Sequence, residues 1–105
     1  MILCIETSTT KCSAALGRGK EILASREAES PEGGHAAALA PMVDELLEVL
    51  RSHEGATLSA IAVSAGPGSY TGLRIGASLA KGLCLGYRIP LIAIDTLELL
   101  AHQAQ

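Results

Sequence analysis

The sequence predicts an α/β fold in which one mixed sheet carries helices on its faces, and three observations lead to it. Three strand-like runs follow one another at the start, helical and strand-like segments then alternate, and no linker, repeat or low-complexity tract divides the 105 residues. A strand meander followed by alternating elements yields antiparallel and parallel pairs in a single sheet, because strand–helix–strand crossovers return parallel. Apolar residues make up 49% of the chain, enough to bury one core in one domain. With no Phe or Trp and two Tyr, that core must be aliphatic.

Residues 2–5 form an unbroken apolar run that ends at Glu6 and the hydroxyls of Thr7, Ser8, Thr9 and Thr10, which predicts a central strand buried on both faces. Residues 12–16 alternate, with Cys12, Ala14 and Leu16 on one face, and Gly17-Arg18-Gly19 offers a turn into a third strand over 21–26. Residues 30–34 combine Ser, Pro and two glycines and read as a loop. A helix follows from His35 or slightly later to about Ser52, and Pro41 either lies near its regular start or kinks its first turn. Leu39, Met42, Val43, Leu46, Leu47, Val49 and Leu50 cover about half of this helix, more than the stripe of about 100° that one sheet face needs.

Residues 60–63 predict a short strand that feeds the glycine-rich loop Ala65-Gly66-Pro67-Gly68-Ser69-Tyr70, and a second helix opens from it over 71–85. Residues 91–94 predict a last buried strand introduced by Pro90, with Asp95 or Thr96 capping a final helix. The expected order is β-β-β-α-β-α-β-α.

Composition narrows the function. The formal charge is −3 and the basic residues are scattered, which disfavours tight nucleic-acid binding by this chain alone, and the lack of aromatics disfavours base stacking. Cys4, Cys12 and Cys84 form no C-x-x-C pair and lie in or beside apolar runs, so they are expected to be buried reduced thiols. His35, His53 and His102 have no second ligand at metal-binding spacing, so no metal site is expected. No Gly-x-Ser-x-Gly elbow appears, and Ser69 has no assignable base. The apolar start is too short for a signal peptide and no run approaches a membrane span, so a cytoplasmic protein is expected.

Two segments could meet an anion. Glu6, Thr7, Ser8 and Thr9 gather hydroxyls and an acid in a hairpin where backbone N–H groups can face a phosphate, though turn residues of this kind also serve local hydrogen bonding. Gly66, Gly68 and Ser69 lie between a strand and a helix N-terminus, where exposed amides and the helix dipole attract anions; a tight glycine turn explains them equally well. The loop lacks the lysine of a P-loop, and no G-x-G-x-x-G follows the first strand.

Residues 1–9 (MILCIETST), 65–76 (AGPGSYTGLRIG) and 80–83 (AKGL) together resemble the TsaB family, also called YeaZ, and the resemblance runs over essentially the whole chain. It implies one lobe of an actin/Hsp70/sugar-kinase-like (ribonuclease H-like) fold over 1–105, with a second lobe found in complete family members and absent here. It further implies a non-catalytic scaffold in the complex that forms threonylcarbamoyladenosine on tRNA. The partners implied are TsaD and, through it, the ATPase subunit TsaE, with tRNA met indirectly and a homodimer when the chain is alone. The related TsaD holds a metal with His-x-x-x-His just after the strand matching 91–94; here Thr96 and Leu100 stand at those positions. That departure argues against the alternatives, a TsaD-like transferase and an inactive M22 metallopeptidase homologue. In the fold implied, phosphates lie between two lobes. Glu6 to Thr9 with Gly66, Gly68 and Ser69 would then be a half-site, no cofactor is expected in this chain, and ATP would bind only in the complex.

The partner surface is expected on the helices. Placing Leu73 at 0° puts Ile75, Gly76, Leu79 and Leu83 in an arc of about 200–300° suited to the sheet. Leu73, Ala77, Ala80 and Cys84 form a second strip, which with Leu39, Val43 and Leu47 of the first helix is the expected interface.

Overall fold

A computed structural model of the chain describes residues 1–7, 11–19, 21–29, 35–66 and 70–95, of which 35–37, 65, 66, 70, 71 and 95 by backbone only. The elements are β1 (Ile2–Glu6), β2 (Lys11–Arg18), β3 (Glu21–Glu29), α1 (His35–Ser52), β4 (Ala60–Gly66), α2 (Tyr70–Tyr87) and β5 (Leu91–Asp95). Their order matches the expected one as far as β5, and the final helix expected after it lies outside the described residues. Pro41 sits inside α1 and not at its start, so the Ala37 carbonyl has no N–H at position 41 to accept from.

The sheet runs β3-β2-β1-β4-β5, with β1 antiparallel to β2, β2 antiparallel to β3, and β1–β4 and β4–β5 parallel. Alternation sets the register: Leu3 stands opposite Leu16 on one side and Ile61 on the other, and Ile5 opposite Ala14 and Val63. A bulge falls between Leu16 and Gly17, where a Cβ on Gly17 would lie 2.7 Å from the Glu21 carbonyl oxygen. Only glycine lets the two strands meet there.

Both crossovers, β3–α1–β4 and β4–α2–β5, step across the sheet in the same direction, and right-handed connections then place both helices on the same face. One aliphatic core results, joining Leu3, Ile5, Leu16 and Ile61 of the sheet to Leu39, Leu46, Ala80 and Cys84 of the helices. This is an α/β actin-like lobe, as the sequence leads one to expect.

The same handedness corrects two expectations. β1 is central but not buried on both faces: Leu3 and Ile5 are buried beneath the helices, whereas Ile2 and Cys4 point to the opposite, exposed side. Cys4 is therefore an exposed free thiol, while Cys12 and Cys84 are buried. Burial pushes the Cys12 thiol above its ordinary pKa, which keeps the reactive thiolate scarce. A maleimide reagent is expected to label Cys4 in the native chain and Cys12 only on unfolding; equal rates in mass-spectrometric mapping would contradict this placement.

Candidate functional site

The parallel register brings the chemically suggestive segments to one end of the sheet. Ile5 pairs with Val63, so Glu6 follows beside Ser64, and Gly66 pairs with Asp95 beyond an irregularity in the β4–β5 ladder. The carboxyl ends of β1, β4 and β5 thus stand side by side, the edge at which open α/β sheets usually bind ligands. α2 begins at Tyr70, and the intervening Gly68 and Ser69, like Ser8 and Thr9, lie outside the described residues.

Glu6 is half-buried and accepts a hydrogen bond from the Ser64 hydroxyl at 3.0 Å. Ser64 is itself buried, so this bond satisfies a hydroxyl that burial would otherwise strand. Thr7, the next residue, is 0% exposed, and its Oγ1 has no hydrogen-bond partner. A Cβ on Gly76 would lie 2.5 Å from that oxygen and 3.4 Å from Thr7 Cγ2. Gly76 therefore lets the second turn of α2 rest on the end of β1, and Thr7 is covered by the helix. Its hydroxyl packs between elements and is not offered at a surface, which corrects its expected role as a ligand-facing residue. Glu6 keeps its place at the strand end with a partner already in hand.

The expected partner surface is redrawn. Leu39, Val43 and Leu47 are buried in the core, as are Ala80 and Cys84, so none of the five can face another protein. The wide apolar arc of α1 is used within the lobe, because α1 packs on β2 and β3 and also touches α2. On α2 the inward column is Gly72, Gly76, Ala80 and Cys84, while the larger Ile75, Leu79 and Leu83 are half-buried at its flanks. A helix lying this close to a sheet turns its smallest residues inward. Of the expected strip, Leu73 and Ala77 remain half-exposed and lie apart from the core cluster.

Ser64 and Gly76 are the residues that sequence reasoning missed as parts of the site. Ser64 is hidden inside an apolar strand, where only its partner gives it meaning. Gly76 left a trace, since a glycine within a helix costs about 1 kcal/mol relative to alanine and usually repays it through a close approach. Among the described residues, no three His, Cys, Asp or Glu side chains gather in a metal-binding group, and no helix is long and apolar enough to cross a membrane.

Comparison with known proteins places the fold and site. A protein-family model described as "TsaD: tRNA N6-adenosine threonylcarbamoyltransferase" matches residues 21–105. The chain is 39% identical over 106 residues to the tRNA threonylcarbamoyladenosine biosynthesis protein TsaB of Escherichia coli (strain K12), covering 98% of this chain and 43% of that protein. It is 37% identical over 107 residues to the TsaB of Haemophilus influenzae, covering 98% of this chain and 42% of that protein. The solved structure of YeaZ from Pseudomonas aeruginosa superposes with a TM-score of 0.84 at 37% identity, over 98% of this chain and 47% of the other. The chain thus spans less than half the length of these relatives. With the glycine-rich β4–α2 junction, the three-strand meander and the whole-chain similarity in agreement, the chain belongs to the TsaB (YeaZ) family, within the group that the TsaD model describes.

Proposed function

We propose that the chain is a non-catalytic scaffold lobe in the assembly that forms threonylcarbamoyladenosine on tRNA, and that it binds a TsaD-type transferase. One observation carries this reading: the polar groups described at the strand ends are committed to the fold. Glu6 holds Ser64, and Thr7 is sealed beneath Gly76. Neither can act as a base or nucleophile on a substrate without unpacking α2. The segment after β5 reads Thr96-Leu97-Glu98-Leu99-Leu100, without the histidines that a transferase of the TsaD type would use to hold a metal. Similarity to proteins named for threonylcarbamoyladenosine biosynthesis supports the pathway.

In this reading the ATPase subunit TsaE and tRNA are met through TsaD, the complex works in the cytoplasm, and ATP is held only once a second lobe completes the half-site. Leu73 and Ala77, the half-exposed part of the helix strip, are the contact surface. Co-elution of the chain with its cognate TsaD on a sizing column is the expected result. Ala77→Glu should weaken it about tenfold or more, because it places an unpaired charge in the contact while leaving the core untouched. Unchanged co-elution of a folded Ala77→Glu chain would remove this surface, and tRNA modification by the chain alone would overturn the scaffold reading.

A further inference from the structure

The two edges of the sheet are built differently. β3 carries Glu21, Arg26, Glu27 and Glu29 along its length, and charges on an edge discourage pairing with another strand. β5 reads Leu91-Ile92-Ala93-Ile94 before Asp95, and β4 is its one hydrogen-bonded neighbour among the described residues. The Ile61 N–H donates to the Pro90 carbonyl at 3.1 Å. By the two-residue repeat of a strand, Ile92 and Ile94 also direct their backbone groups at β4, and Leu91, Ala93 and Asp95 direct theirs outward.

The surroundings of this edge are apolar. Ile92 is 43% exposed, Leu85 81% and Tyr87 42%, and an open groove of about 390 Å³ lies between α2 and β5, lined by Lys81, Cys84, Leu85, Ile89 and Leu91. The groove follows from how α2 ends. Arg88 adopts a left-handed backbone (φ 58°), and the Ile89 N–H bonds back to the Cys84 carbonyl at 3.1 Å, so the chain reverses beside the helix before β5 begins.

We propose that β5 pairs antiparallel with β5 of a second copy of this chain, about a two-fold axis through Ala93, so that two five-stranded sheets become one. In that register Ala93 meets its own counterpart and Leu91 meets Asp95 of the other copy. Every outward backbone group of the three residues is then satisfied reciprocally. Ile92 stands opposite Ile94 of the other copy, an apolar pair on both sides of the axis. Charge favours the same direction: the strand is preceded by Arg88 and ends on Asp95, so antiparallel copies set the basic start of each near the acidic end of the other. The helices lie on the same face in both copies, which leaves the exposed Leu85 of each beside the shared groove. This pairing does not depend on the scaffold reading, which uses Leu73 and Ala77.

The test is light scattering on the 105-residue chain eluting from a sizing column, at a loading of about 100 µM, where an interface of only micromolar affinity is populated. The expected mass is twice the 10.8 kDa of one chain. Ala93→Pro removes an outward N–H at an edge, where proline is tolerated, and should halve the measured mass with an unchanged circular dichroism spectrum. Ile92→Lys, at an exposed position, should do the same and decides the matter if the proline variant does not fold. A monomeric parent chain, a mass above the dimer, or a dimer that survives a folded variant would overturn the proposal.

Discussion

Gly76→Val is expected to lift α2 from the end of β1 and to cost about 3 kcal/mol, near the upper end of what overpacking a core usually costs. The first added atom would lie 2.5 Å from Thr7 Oγ1, a distance that no rotamer of valine changes because it is set by the backbone. For a domain of this size each kcal/mol lowers the melting temperature by about 4–8 °C. Gly76→Ala separates two effects: it gains about 1 kcal/mol of helix propensity and loses more to the same contact. Adding Thr7→Ala should recover part of that loss, since the oxygen and methyl that obstruct the new Cβ are gone. Thermal melts of the two single variants and the double variant measure the coupling. Additive effects would mean that helix and strand do not meet through these two residues.

Leu39→Ala is expected to destabilise the isolated chain by about 3–4 kcal/mol, within the range for a buried leucine whose cavity is not refilled. Leu39 is 0% exposed and belongs to the core that joins both helices to β1, β2 and β4. The size of the effect decides between two readings of the residue. A core leucine lowers the denaturation midpoint of the monomer, whereas an interface leucine leaves the monomer alone and weakens association. An unchanged midpoint in urea would return Leu39 to the surface.

The exposed ion pairs carry little of the stability. Lys11–Glu27 at 3.6 Å, Arg26–Glu45 at 2.9 Å and Arg51–Glu48 all join exposed side chains, where such pairs contribute about 0–1 kcal/mol. Arg26–Glu45 nonetheless has a place in the architecture, since it ties the edge strand β3 to α1 across the open margin of the core.

The chain order of strands and helices was legible in the sequence for a plain physical reason. Alternation at 12–16, the unbroken run at 2–5 and the helical spacing from Leu39 to Leu50 are local consequences of where one side chain points relative to the next. The boundaries moved by a few residues, as with β3 reaching Glu29 and α2 reaching Tyr87, because pairing and capping extend an element beyond its apolar pattern. The same local rule located the strand ends that form the candidate site, with Glu6 and Gly66 at the carboxyl ends of neighbouring strands.

Which face each residue serves was decided by the tertiary structure. The sequence by itself determined an aliphatic core, a mixed sheet and two amphipathic helices, since those follow from composition and period. It could not determine that both helices share a face, which depends on the direction in which two crossovers traverse the sheet. That single fact exposes Ile2 and Cys4 and draws Leu39, Val43, Leu47, Ala80 and Cys84 inward. Nor could it show that α2 approaches so closely that glycine and alanine face the sheet while larger side chains stand at the flanks. A helical wheel ranks residues by hydrophobicity, whereas the distance between helix and sheet selects them by size, and that distance exists only once the chain is folded.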